Sequence, residues 1–116
     1  MHNYKELKVW NKSVALATDV YKVTKKFPES EMYGITSQIR RSSVSISSNI
    51  AEGAGRAGKK EFKHFLNISY GSSFELETQL IISKNLEYLS EKEFNSLQGL
   101  LIEIQKMLYT LIKSIE

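Results

Sequence analysis

Six basic residues flank a glycine-rich run in the middle of this chain, and their chemistry suits phosphate binding. They are Arg40, Arg41, Arg56, Lys59, Lys60 and Lys63. Arginine can hold a phosphate through two parallel hydrogen bonds, and clustered positive charge attracts nucleic acid. Because no aromatic residue stands among these charges in a way that suggests base stacking, we predict contacts to the nucleic-acid backbone with little sequence preference. The alternatives are a solvated face or ion pairs with Glu52, Glu75 or Glu77.

The glycine-rich run itself resembles a nucleotide-binding loop. The run G-A-G-R-A-G from Gly53 to Gly58 matches the pattern G-x-G-x-x-G, and Glu75 and Glu77 follow where a ribose-binding acid would stand. That mechanism needs a strand before the glycines, whereas the residues before Gly53 have helical periodicity. We therefore predict a turn between two helices, with glycine in the left-handed conformation that is common just past a helix end.

Residue types and spacing give no catalytic or metal-binding arrangement. The chain has no cysteine and two histidines, His2 near the terminus and His64 among lysines. Glu75 and Glu77 are two residues apart, so on a helix they point to different faces and cannot form an acid–base pair. Metal-binding helical bundles carry a Glu-x-x-His motif on each of two helices, and this pair is absent, because the sequence has a single match, from Glu61 to His64. We predict no enzymatic activity, no cofactor and no metal site.

The elements that carry these residues are all predicted to be helices. We expect helices over about residues 7–26, 31–53, 59–88 and 91–115, within a single domain that covers residues 1–116. No segment alternates at the period of two that is typical of a strand. Four helices joined by short turns favour an all-α, antiparallel, up-down-up-down four-helix bundle.

Apolar residues at helical spacing support these assignments. The predicted buried stripe of the first helix is Trp10, Val14, Ala17, Tyr21 and Thr24, and that of the second is Ile35, Ile39, Ile46 and Ile50. The serines between Ile39 and Ile50 keep the same phase, so they belong to the helix and let another helix approach closely. In the fourth helix a capping box formed by Ser90 and Glu93 precedes an unbroken heptad seam from Phe94 to Ile115.

The third helix is apolar on two nearly opposite faces. One face carries Phe62, Phe65, Ser69, Ser73, Leu76, Leu80 and Ser83, and the other carries Tyr70, Phe74, Ile81 and Tyr88. A helix with two apolar faces is buried on two sides, and a four-helix subunit has a single core. We therefore predict that the second face is an interface between subunits of a homo-oligomer.

The charge of the chain is unevenly distributed. Residues 1–64 carry twelve Lys and Arg against six Asp and Glu, whereas residues 65–116 carry four against seven, so the halves are +6 and −3. The basic half could attract nucleic acid or the acidic half of a neighbouring copy. No apolar run reaches the length of a membrane span, and the N-terminus lacks the apolar segment of a signal peptide. We expect a cytoplasmic protein without membrane contact.

Four stretches of this chain resemble a known bacterial family. They are LKVWNKSV, FPESEMYGITSQIRRSSVSISSNIAEGAGR, KKEFKHFLNISYGSSFELETQL and NLEYLSEKEFNSL. Together they resemble the four-helix bundle proteins encoded in intervening sequences of 23S ribosomal RNA genes, and the resemblance runs from about Leu7 to the C-terminus.

The resemblance implies a ring-like homopentamer without enzymatic activity. The chain is also similar to the accessory protein of diversity-generating retroelements, which implies contact with RNA or DNA and with a nucleic-acid-processing enzyme. Gly58 departs from the pattern, because many relatives have Ser or Thr there to form a capping box with the position of Glu61. Glycine caps a helix less well, which weakens the expected start of the third helix.

Overall fold

The computed structural model describes residues 3–115, which form four α-helices and two short 3₁₀ turns. The helices are α1 (Lys8–Thr24), α2 (Ile35–Ala54), α3 (Lys59–Asn85) and α4 (Glu91–Ser114), and the 3₁₀ turns are Tyr4–Glu6 and Glu29–Glu31. Within residues 3–115 there is no β-strand. His2 lies outside the described residues.

The four helices form an antiparallel up-down-up-down bundle, as predicted. α1 packs against α2 and α4, and α3 packs against the same two helices from the other side. The 27 residues of α3 make a rod of about 40 Å at a rise of 1.5 Å per residue, which accounts for the 43 Å length of the molecule. None of the helices in the described part of the chain is long and apolar enough to cross a membrane.

The predicted stripes of α2 and α4 are confirmed. Ile39, Ile46 and Ile50 are fully buried, and the seam of α4 is buried from Phe94 to Leu108. The capping box also forms as expected. The Ser90 hydroxyl accepts a hydrogen bond from the backbone N–H of Glu93, and the Glu93 carboxylate accepts one from the backbone N–H of Ser90.

The predicted stripe of α1 is wrong in part. Val14 and Tyr21 are exposed. The buried face carries Val9, Ser13, Leu16, Ala17, Val20 and Thr24. This helix offers two overlapping apolar stripes, and the spacing alone does not show which one faces α2 and α4. Ala17 and Thr24 lie at the border of the two stripes, so they are buried in either orientation.

α2 and α3 share the most extensive contact in the bundle, and small residues line it. Ser42, Ser69 and Ser72 are buried there. The hydroxyl of Ser69 donates to the backbone oxygen of Ile46 at 2.8 Å, and that of Ser42 donates to Gln79 at 2.7 Å. Buried hydroxyls must have partners, and here the opposite helix provides several of them. The sequence-based expectation that the serine run admits a close helix is confirmed.

The glycine turn differs from the prediction in two ways. Gly53 is buried inside the last turn of α2 rather than in the loop. No glycine among residues 3–115 has a positive φ, so the chain leaves α2 without a left-handed glycine. Glycine is required at position 53 because a side chain would not fit there. A Cβ atom there would lie 2.7 Å from Cβ of Phe65 and 3.2 Å from the backbone oxygen of Phe62.

The left-handed residue of this fold instead follows α3. Glu87 has φ 64°, and the backbone N–H of Tyr88 donates to the backbone oxygen of Ser83, which is the pattern of a Schellman helix end. α3 therefore stops at Asn85 and not near residue 88. α2 likewise starts at Ile35, later than the expected start near residue 31, because a 3₁₀ turn occupies Glu29–Glu31.

We predict that Gly53→Ala destabilises the protein. The added methyl overpacks the contact with Phe65, at a cost of about 1–3 kcal/mol, which exceeds the roughly 1 kcal/mol that alanine contributes to a helix. Gly99→Ala is the matched control, because Gly99 is an exposed helical glycine whose Cβ would meet no atom within 4 Å. Urea denaturation should show a lower free energy of unfolding for Gly53→Ala and a higher one for Gly99→Ala than for the wild type. An equal increase in the free energy of unfolding for both variants would contradict a close contact between Gly53 and Phe65.

We predict that Glu87→Gly stabilises the protein by about 0.5–1 kcal/mol, because glycine adopts a positive φ without the steric cost of a side chain. Glu87→Ala is the control, since it removes the same carboxylate and keeps Cβ. Thermal unfolding should give a higher melting temperature for Glu87→Gly than for Glu87→Ala. The reverse order would mean that the left-handed helix end carries no strain.

Candidate interaction surfaces

The structure separates the six predicted basic residues into two groups. Arg40 and Arg41 lie in the N-terminal half of α2, whereas Arg56 and the three lysines lie around the turn that joins α2 to α3. From Arg41 to the end of α2 at Ala54 the helix rises by roughly 20 Å at 1.5 Å per residue. One phosphate cannot contact both groups, although an extended strand could.

The group at the turn is exposed and only partly neutralised. Arg56 forms an ion pair with Glu52 at 2.6 Å, and its guanidinium lies 5.0 Å from the ring centroid of Phe65. Lys59, Lys60 and Lys63 are exposed, and none of the ion pairs within residues 3–115 includes them. These three lysines are free to meet an anion.

Arg40 is held in place by neighbours on α1. Its Nε donates a hydrogen bond of 2.9 Å to the hydroxyl of Thr24, and its guanidinium lies 4.7 Å from the ring centroid of Tyr21. Arg41 is exposed beside it. Neither arginine forms an ion pair with any residue from 3 to 115. The structure therefore contains two adjacent guanidinium groups without a carboxylate partner.

These two arginines line a groove between α1 and α2, which we call the tyrosine–arginine groove. It encloses about 420 Å³ and is lined by Tyr21, Met32, Tyr33, Ser37, Arg40, Arg41 and Val44. The Tyr33 side chain is 97% exposed. The sequence-based expectation that no aromatic residue is placed for base stacking did not anticipate these two tyrosines beside the arginines. Tyr21 reaches Arg40 from another helix, which no spacing could show, whereas Tyr33 stands just before α2 and could have been noticed.

Three of the four residues predicted for a subunit interface lie on one surface. Phe74 and Ile81 are 45% and 41% exposed, and the half-buried Tyr70 packs edge-on against Phe74 with ring centroids 4.9 Å apart. Tyr88 is placed elsewhere. It follows the end of α3, and its ring centroid lies 5.4 Å from that of Phe27. The ring of Tyr88 therefore packs within the subunit.

The hydroxyl of Tyr88 donates to the Glu31 carboxylate at 2.9 Å. This hydrogen bond raises the pKa of Tyr88, because the phenolate could not make it and would face a negative charge. The contact ties the 3₁₀ turn before α2 to the chain that follows α3. Tyr88 therefore has a role inside the bundle that the helical stripe did not predict.

Residues of α4 extend the apolar surface into a groove, which we call the α3–α4 groove. It is lined by Tyr70, Phe74, Ile102, Gln105, Lys106, Tyr109 and Thr110. Ile102 and Tyr109 are exposed, and they are seven residues apart on one face of α4. This second stripe of α4 was missed, although its spacing is visible in the sequence. Gln105 donates to Glu77 at 3.0 Å and so connects the two helices.

Glu75 and Glu77 point to different faces of α3, as expected. Glu77 accepts hydrogen bonds from Gln98 and Gln105 of α4. Glu75 instead lines a cleft on the side of α2, together with Arg41. Among residues 3–115, no three His, Cys, Asp or Glu side chains come together to hold a metal ion.

The fold and its surfaces define a small helical bundle with uncompensated basic residues and exposed apolar grooves. The chain belongs to the 23S rRNA-intervening sequence protein family, whose model matches residues 5–110. The predicted family membership is thereby confirmed, while the similarity to the accessory protein of diversity-generating retroelements stays a prediction.

A solved structure supports the same assignment. The chain is similar to a protein of unknown function from the S23 ribosomal protein family of Bacteroides thetaiotaomicron, whose crystal structure was determined at 1.70 Å resolution. The two chains are 28% identical, with a TM-score of 0.85 over 91% of this chain and 96% of that one. No curated protein in the comparison matches the chain.

Proposed function

We propose that this protein is a non-enzymatic, homo-oligomeric helical bundle that binds nucleic acid, or a nucleic-acid-processing enzyme, through its basic residues. The observation that carries the proposal is the uncompensated charge. Of the six predicted basic residues, Arg56 is the one with an ion pair inside the described part of the chain. Basic side chains without a carboxylate partner are free to neutralise phosphates.

The apolar residues on the surface support assembly. Phe74, Ile81, Ile102 and Tyr109 are each more than a third exposed on neighbouring helices. A stripe of this kind favours a protein contact. The homopentamer implied by the family resemblance is the assembly we propose, in the cytoplasm and without membrane contact.

A protein–protein scaffold without nucleic-acid binding is the second candidate. The observation that favours it is the polar cleft in which Arg41 and Glu75 lie together with Gln38, Ser42 and Ser45. In an assembly, the basic residues could form ion pairs with carboxylates of a neighbouring copy. The halves of the chain, with charges of +6 and −3, suit such pairing.

We predict that the protein has a mass several times 13.3 kDa in light scattering after gel filtration. Replacing both Phe74 and Ile81 with Asp should dissociate the assembly, because unpaired charges in a buried contact are costly. The matched control is Ile68→Asp with Ile82→Asp, which adds the same charge to comparably exposed sites on another face of α3. A monomeric wild type at micromolar concentration would contradict both the interface and the pentamer.

We predict that nucleic-acid affinity falls steeply with salt, with a log–log slope of about −0.7 to −0.9 for each phosphate contacted. Changing Arg41, Lys60 and Lys63 to Glu should abolish binding and leave the oligomer intact, since all three side chains are exposed. Titrations of labelled single- and double-stranded oligonucleotides at several salt concentrations measure the slope.

The control for this charge reversal is Lys8, Lys25 and Lys92 changed to Glu. These lysines are exposed and lie outside the basic groups, and their replacement changes the net charge by the same amount. If the basic groups form a specific site, this control variant should retain nucleic-acid binding. Dissociation of the oligomer by the first triple change would favour the scaffold. An intact oligomer whose wild type does not bind at low salt would reject nucleic-acid binding.

A further inference from the structure

We propose that the tyrosine–arginine groove is a stacking site for unpaired bases of single-stranded nucleic acid. This inference rests on the proposed function and names the form of nucleic acid that the site would take. It replaces the sequence-based expectation of contacts to the backbone alone. The structure adds base-stacking surfaces next to the arginines, and one nucleotide has both a flat base and a phosphate.

Tyr33 supplies the most accessible ring of the groove. Its side chain is 97% exposed, and within residues 3–115 it makes no hydrogen bond and no ring contact with another side chain. It stands between the 3₁₀ turn Glu29–Glu31 and the start of α2 at Ile35, so both neighbouring segments are ordered. An aromatic ring presented to solvent from an ordered segment can stack on a base at little entropic cost.

The guanidinium of Arg40 forms a second planar wall of the groove. The Arg40 guanidinium lies 4.7 Å from the ring centroid of Tyr21, and its Nε is hydrogen-bonded to the Thr24 hydroxyl. Both contacts fix the guanidinium in one orientation before any ligand arrives. Bases stack on arginine planes as well as on aromatic rings, so this wall can receive the base that enters beside Tyr33.

Arg41 is placed to hold the phosphate. It is exposed and has no ion pair among residues 3–115. It lines the tyrosine–arginine groove on one side and the polar cleft with Gln38 and Glu75 on the other. A strand whose base enters the groove would pass its backbone over this guanidinium, which can bind a phosphate through two hydrogen bonds.

The composition of the groove favours an unpaired strand over other partners. A duplex keeps its base faces covered, so it would use the arginines and leave Tyr33 without a role. Among residues 3–115 no carboxylate lines the groove, and its two guanidinium groups disfavour a basic or neutral peptide. Single-stranded nucleic acid matches both the planar surfaces and the positive charge.

The test compares tyrosine variants by fluorescence anisotropy with labelled oligo(dT), oligo(U) and a duplex of equal length. Tyr33→Ala should weaken binding of the single strands by about tenfold, the effect of losing one stacked base, and leave duplex binding unchanged. Tyr33→Phe should retain wild-type affinity, because the ring remains. The control is Leu86→Ala, which truncates an exposed apolar side chain that lines neither groove.

The outcomes separate this inference from the proposed function. If the wild type binds in a salt-dependent way but Tyr33→Ala binds single strands as tightly as Leu86→Ala, the stacking site is rejected and the proposed function stands. A wild type that binds neither strands nor duplex rejects both. If Tyr33→Ala changes the mass in light scattering, the groove is a contact between copies and the inference is overturned.

Discussion

The close approach of α2 and α3 is the constraint on which the rest of the bundle depends. It requires a residue without a side chain at Gly53, because Phe65 occupies the space where a Cβ would lie. It also requires small hydroxyl residues along the contact, several of whose hydrogen bonds cross to the other helix. Since α1 and α4 both pack on this pair, its geometry decides which faces of all four helices remain exposed.

Much of the fold follows from patterns within single helices. The isoleucines of α2, the seam of α4 and the capping box formed by Ser90 and Glu93 are local features, and the structure has all of them. The orientation of α1 depends on its neighbours, and here the sequence favoured a stripe that includes the exposed Val14. The ends of α2 and α3 differ from the prediction because a 3₁₀ turn and a left-handed Glu87 replace helical residues.

The candidate surfaces were harder to predict, because they combine residues from different helices. The basic residues could be named from the sequence, but nothing in their spacing shows that α2 separates them into two groups. Tyr21 meets Arg40 across the contact between α1 and α2. Ile102 and Tyr109 of α4 likewise complete a groove with Phe74 of α3. Such pairings arise only when the packing of helices is known.

The two grooves lie on opposite sides of the bundle. α1 and α2 form one side and α3 and α4 the other, because each helix packs against two neighbours in a closed cycle. Assembly through the α3–α4 groove would therefore leave the tyrosine–arginine groove accessible. A single stacked base contributes only about 1–3 kcal/mol, which is too little for firm binding. In an oligomer, several copies of the groove would bind one strand at the same time. Once the first copy has bound, the others meet the strand at a high effective concentration, which raises the overall affinity without any new type of contact.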